Sequence, residues 1–84
     1  MYVLELDPDA VSFLKKLPRE IARRIWGKIL SAKEDPHHFF MRLAGRRDYR
    51  MRCGDYRVIA DIEEHEKKIR VTLIGHRKNV YERP

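Results

Sequence analysis

The chain has 84 residues, with 19 Lys+Arg against 13 Asp+Glu, a net charge of +6 and 43% apolar residues. That length holds one small domain, residues 1–84, and that apolar fraction excludes a wholly disordered chain. No apolar run approaches the roughly 18 residues of a membrane span. Residues 1–6 lack the basic n-region of a signal peptide, and the single cysteine, Cys53, excludes an internal disulfide framework and a CxxC zinc site. The expected setting is the reducing cytoplasm, away from membranes.

Residues 2–6 alternate Tyr2, Leu4 and Leu6 against Val3 and Glu5, which predicts a short strand. Asp7-Pro8 then reads as a helix start, with Asp7 capping the free amides and Pro8 at the first helical position. Ala10, Val11, Phe13, Leu14 and Leu17 form its apolar stripe, and Leu17-Pro18 ends it. A second helix is predicted from Pro18 to about Lys33. Ile21, Ile25 and Ile29 recur every four residues, flanked by Ala22, Trp26 and Leu30, with Trp26 expected in the core. Asp35-Pro36 closes it, and residues 37–47 read as a loop. Phe39, Phe40 and Met41 are expected to cover an edge of the core. His37-His38 is no metal pair, because adjacent residues project apart and no third ligand stands at a fitting spacing.

Three strands follow, over residues 49–53, 56–62 and 69–75. Gly54-Asp55 is a tight hairpin signal of the type II′ kind, with glycine first. Such a turn sets Cys53 opposite Tyr56, Arg52 opposite Arg57, Met51 opposite Val58 and Arg50 opposite Ile59. A turn near His65-Glu66 sets Glu64 against Lys67, Glu63 against Lys68, Ile62 against Ile69, Asp61 against Arg70 and Val58 against Leu73. Neither central residue favours positive φ, so a longer loop with the same pairing is the alternative. Three of these pairs are opposite in charge, which supports the register. One face then carries Tyr49, Met51, Cys53, Tyr56, Val58, Ala60, Ile62, Ile69, Val71 and Leu73, a core face for the helical hairpin. The other carries Arg50, Arg52, Arg57, Ile59, Thr72, Ile74 and His76. The expected fold is α/β (α+β): two N-terminal helices on a mainly antiparallel four-stranded sheet, with the first strand at an edge.

Positive charge collects in the second half. Residues 1–41 are net +1 and residues 42–84 net +5, and the window 42–57 holds Arg42, Arg46, Arg47, Arg50, Arg52 and Arg57 against only Asp48 and Asp55. The planar guanidinium fork suits phosphate. Arg52 facing Arg57 is destabilising unless an anion sits between them, so that end of the sheet is a candidate phosphate site, with His76 expected beside it. Cys53 falls on the core face and reads as a small buried apolar residue.

The order of elements, with LAG at 43–45, DYRMR at 48–52, GDYRVI at 54–59 and IGHRKNVY at 74–81, resembles the RelE/ParE superfamily of toxins from type II toxin–antitoxin systems. The tail resembles the RelE branch rather than the ParE branch. The resemblance implies a microbial-ribonuclease-like fold and a ribosome-dependent mRNA interferase, an endoribonuclease that cuts mRNA in the ribosomal A site and is restrained by a cognate antitoxin. It implies no cofactor and no metal. Carried over residue by residue, Arg50 and Arg52 match two basic positions of the site, Arg57 the arginine of the next strand, Arg77 the arginine after the last strand, and Tyr81 the C-terminal tyrosine. His76 is the one nearby group whose ordinary pKa suits proton transfer. Arg42, Arg46, Arg47 and Lys78 complete an RNA- and ribosome-binding surface. Arg57 and Arg77 have no evident structural partner, so alanine at either is expected to remove activity while sparing the fold. Arginine stands at two positions that are often lysine in RelE itself, and it does not serve as a general base. The alternative is a non-nucleolytic ParE-like topoisomerase inhibitor, or a cleavage-deficient relative that binds RNA or antitoxin.

Overall fold

The computed structural model describes residues 1–42, 45 and 47–76. Strand β1 (Val3–Leu6) leads into helix α1 (Pro8–Lys16) and helix α2 (Arg19–Ala32). A helical turn α3 (Pro36–Phe39) and a two-residue strand β2 (Met41–Arg42) follow, and then β3 (Tyr49–Cys53), β4 (Tyr56–Glu63) and β5 (Lys68–His76). The sheet has five strands in the order β1-β5-β4-β3-β2. Strand β1 lies at an edge, parallel to β5, and the other pairings are antiparallel. The additional strand β2 and the helical turn α3 both fall where the sequence suggests a loop. Pro36 is well placed to open a helical turn, and Phe40 leaves it buried at 2% exposure, pulling Met41 and Arg42 alongside β3.

Helix α1 begins after Asp7 as the Asp-Pro signal implies, but the carboxylate does not cap it. Arg70 Nε donates to Asp7 Oδ1 at 2.8 Å instead, tying the helix start to β5. Ala10, Ile25, Ile29 and Ala32 bury one side of the hairpin completely against Met51, Val58, Ala60, Ile69, Val71 and Ile74. Trp26 and Leu30 lie away from that core, 39% and 41% exposed. The stripe from Ile21 through Ile29 is narrow, and a residue one position beyond each isoleucine is rotated about 100° off the sheet.

The β3–β4 register is the expected one, from Tyr49 opposite Ala60 to Cys53 opposite Tyr56. Of the two turn residues, Gly54 alone takes a positive φ, +61°, as a type II′ turn requires. The β4–β5 turn takes its longer form, residues 64–67, with Lys67 at φ +54°. Glu63, Ile62 and Asp61 keep their expected partners Lys68, Ile69 and Arg70, whereas Glu64 and Lys67 lie in the turn itself. Beyond Ala60 the register slips by one. Ala60 pairs with Val71 and Ile59 with Leu73, so Thr72 is an extra residue in β5, its Oγ1 donating to the Ile59 carbonyl at 3.3 Å. Val58 therefore meets Ile74 instead of Leu73, and Ile74, not Leu73, enters the core.

Opposite the arginine-rich end, acids and bases are interlocked. Tyr2 Oη donates to Glu64 Oε2 at 2.6 Å, His37 Nε2 meets Glu64 Oε1, and Lys67 Nζ stands 5.1 Å from the Tyr2 ring centre. Lys68 pairs with Glu5 at 3.3 Å and Glu66 at 3.7 Å. The Tyr2 hydroxyl and then the His37 ring hold the Glu64 carboxyl below its ordinary value of 4.5, and the same bond to Glu64 raises the Tyr2 phenol.

Replacing Ile29 by Ala should cost about 2–5 kcal/mol in urea unfolding, whereas the exposed neighbour Leu30→Ala should cost under about 1 kcal/mol. Because the folded Glu64 pKa is depressed, its contribution is present above the ordinary carboxylate pKa and is lost as pH falls through the folded value. Glu64→Gln should therefore lower the melting temperature near pH 7, where that contribution is present, and flatten the fall of stability below about pH 5, so that the two melting curves converge in acid.

Candidate phosphate-binding site

Strands β3 and β4 build the candidate site at their hairpin end, on the face turned away from the helices. Period-two alternation puts Met51, Cys53, Val58 and Ala60 into the core, and so sends Arg50, Arg52 and Arg57 to the other face. Arg52 lies directly opposite Arg57, and Gly75 of β5 lies on Arg57's other flank. Arg52 is exposed and Arg50 half-buried.

Arg57 is only 4% exposed. Its Nη1 donates to the carbonyls of Gly54 at 3.1 Å and Tyr56 at 3.0 Å, so the guanidinium folds back over its own hairpin turn. This corrects the expectation that Arg57 has no structural partner. It also explains how two arginines tolerate facing positions: one charge is drawn to carbonyl oxygens and the other stays in water. Gly75, opposite Arg57 on β5, presents no side chain beside it. Arg57 Nε is buried and has no hydrogen-bond partner among the described residues. A buried N–H left unpaired costs about 1–3 kcal/mol, and an anion reaching this site relieves that cost.

His76 is not on this face. The extra residue Thr72 turns over the side chains beyond it, and His76 pairs with Tyr56, their ring centres 5.5 Å apart at 80°. Tyr56 in turn meets Phe13 of α1 at 6.2 Å. His76 thus shares the end of the sheet with Arg52 and Arg57 but belongs to the helix side. Arg42 lies on β2 opposite Tyr49, and Arg47 is exposed shortly before β3. Arg46, Arg77, Lys78 and Tyr81 lie outside the described residues.

Two further groups flank the arginines. Lys28 of α2 donates its Nζ to the Arg52 carbonyl, a role that its position beside the apolar stripe does not announce. Met41, expected over a core edge, is 68% exposed, whereas Phe39 packs against the core and Phe40 enters it. Cys53 is buried at 5% exposure, as a small apolar residue of the core. His37, from the pair that resembles a metal lure, contacts Glu64 and the Tyr49 ring. Among the described residues no group of three or more metal-ligating side chains comes together, and no helix is long and apolar enough to cross a membrane.

The fold has close counterparts. The toxin of the RelE–RelB complex from the archaeon Pyrococcus horikoshii superposes with a TM-score of 0.78 at 28% identity, over 90% of this chain and 94% of that one. The intact Escherichia coli RelBE complex gives 0.78 at 20% identity, covering 90% and 96%. The RelBE2 complex from Mycobacterium tuberculosis gives 0.79 at 20% identity, covering 90% and 98%. No relative matches among curated proteins. The sequence profile of the ParE toxin of the type II parDE toxin–antitoxin system matches residues 4–81. A match over nearly the whole chain, joined to the RelE-type fold, makes this chain a member of the ParE toxin family of type II toxin–antitoxin systems.

Proposed function

We propose that this toxin is a ribosome-dependent endoribonuclease that cleaves mRNA in the ribosomal A site, in the cytoplasm. The observation that carries the reading is the arginine face turned away from α1 and α2, where Arg52 faces Arg57 and the buried Arg57 Nε has no hydrogen-bond partner among the described residues. In such a reaction the ribose 2′-oxygen attacks the adjacent phosphorus, the 2′ proton passes to a base, and the bond to the 5′-oxygen breaks as that oxygen takes up a proton. The products are a 2′,3′-cyclic phosphate and a free 5′-hydroxyl. The crowded phosphorane carries extra negative charge, and preorganised cations at that point supply the largest electrostatic contribution. Arg50, Arg52 and Arg57 fill this role, with Arg77 as their partner from beyond β5 and Tyr81 orienting a base. Arg42, Arg46, Arg47 and Lys78 hold RNA phosphates.

His76 reaches the reacting phosphate only around the end of β5, and Arg52 and Arg57 do not accept a proton. Proton transfer therefore falls to His76 swung past the strand end, or to a group of the ribosome. The all-arginine face and the match to the ParE profile favour one second reading, a non-nucleolytic inhibitor of topoisomerase.

The partner in either case is an antitoxin segment. A groove of about 380 Å³ between α1 and α2 is lined by Leu14, Ala22 and Trp26 and edged by Lys15, Arg19 and Arg23. An amphipathic segment with acidic flanks fits it, and charge steers its approach.

Primer extension on a translated message decides between the readings: discrete cuts within codons support cleavage, and DNA damage without RNA cuts supports the inhibitor. Arg52→Ala should lower cleavage about 100- to 1,000-fold with stability changed by no more than about 0.5 kcal/mol. Arg57→Ala should lower cleavage by a similar factor but also cost about 1.5–3 kcal/mol, because it removes charged hydrogen bonds that hold the hairpin turn. His76→Ala tests the base: cleavage unchanged across about pH 6 to 8 assigns proton transfer to the ribosome.

A further inference from the structure

Strand β2 is only two residues long and pairs with Tyr49 and Arg50, so among the described residues β3 has no strand neighbour on that side past Arg50. In a two-residue hairpin Cys53 and Tyr56 form the hydrogen-bonded pair, which turns the amide groups of Arg52 outward toward this open edge. An open edge invites another strand, but Lys28 reaches over from α2 and takes the Arg52 carbonyl. What is left is a groove of about 370 Å³ lined by Lys28, Phe39, Met41, Arg50 and Arg52.

Its composition is selective. Among the described residues three cations line it and no acid does, which fits a polyanion. Beside them stand a half-buried phenyl ring and a thioether that is 68% exposed. Phosphate binding alone has no use for Phe39 and Met41, and an apolar peptide has no use for Lys28, Arg50 and Arg52. A nucleotide uses both, because its phosphate takes the cations and its flat base packs on aromatic or polarizable surface. The groove is also continuous with the arginine face through Arg50 and Arg52, so a strand of RNA lying there runs on into it.

We propose that this groove holds one nucleotide flanking the scissile phosphate, its phosphate between Lys28 and Arg52 and its base against Met41 and Phe39. The inference rests on the reading of the arginine face as an RNA site. Lys28 acts twice, as a phosphate ligand and as a positioning residue that fixes the β3 end carrying Arg52.

The test is an NMR titration of the full chain, labelled with methyl-¹³C methionine and ¹⁵N arginine, with a short single-stranded RNA and with an abasic ribose-phosphate oligomer of equal length. The chain has three methionines, and Met51, 1% exposed, is the internal control. The RNA should move the Met41 methyl upfield by ring currents and leave Met51 in place. The abasic oligomer should move the Arg52 side-chain signals but not Met41. Met41→Ala should weaken RNA binding about ten-fold and leave abasic affinity unchanged. Equal Met41 shifts with both oligomers, a still Met41 methyl when RNA moves Arg52, or a Met41 shift by an acidic peptide in place of RNA each overturns the proposal. Failure of the nuclease reading shows separately, as absence of cuts in the translated message.

Discussion

Thr72 stands unpaired in β5, between a residue that faces Ala60 and one that faces Ile59. A bulge of one residue in a structure of period two exchanges the faces of everything beyond it. Before the bulge, Ile69 and Val71 point to the helices; after it, Ile74 takes over that task. Gly75 thereby comes to lie beside Arg57, and His76 comes to lie against Tyr56. The completeness of the core, the glycine beside Arg57 and the side of the sheet on which His76 lies all depend on this one residue.

Charge divides the sheet into two ends. At the β4–β5 turn nearly every charge has a mate: Glu64 with Tyr2 and His37, Lys68 with Glu5 and Glu66, and Arg70 with Asp7. Exposed pairs of this kind each contribute little to stability. Their larger effect is to place the positive surplus elsewhere. At the β3–β4 turn Arg57 is held by the backbone carbonyls of Gly54 and Tyr56, which orient a guanidinium without neutralising it. A net positive field therefore remains where an anionic chain is proposed to bind.

The legible parts of the sequence are those governed by local rules. Asp7-Pro8, Leu17-Pro18 and Gly54-Asp55 mark their boundaries because proline and glycine restrict backbone geometry within a residue or two. The β3–β4 register follows at once from the turn. The Arg52–Arg57 opposition, and with it the candidate site, was readable from that counting alone. The bulge was not, because Thr72 suits a regular strand, and its displacement is visible only when Ile74 is seen filling the core. The folded-back Arg57 was hidden for a related reason: its partners are carbonyls, which every residue carries. Trp26 and Met41 are large and apolar, and residue type predicts burial; a narrow helix stripe and a two-residue edge strand leave both outside.

The parallel pairing of β1 with β5 has a consequence for how the chain is made. Val3 to Leu6 hydrogen-bond alongside Lys68 to Val71, and Tyr2 reaches Glu64 across 62 residues of sequence. Closing so long a loop is slow, and contacts at such separation form late. The first strand emerges from the ribosome early and waits for the last to follow. Until then α1 and α2 have only an incomplete sheet to cover, and their apolar stripe stays open to solvent or to another protein. The same strand, β5, also supplies Gly75 at the arginine face. A toxin so arranged cannot complete its site on a partly synthesised chain, and its antitoxin meets either an unfinished scaffold or the whole molecule.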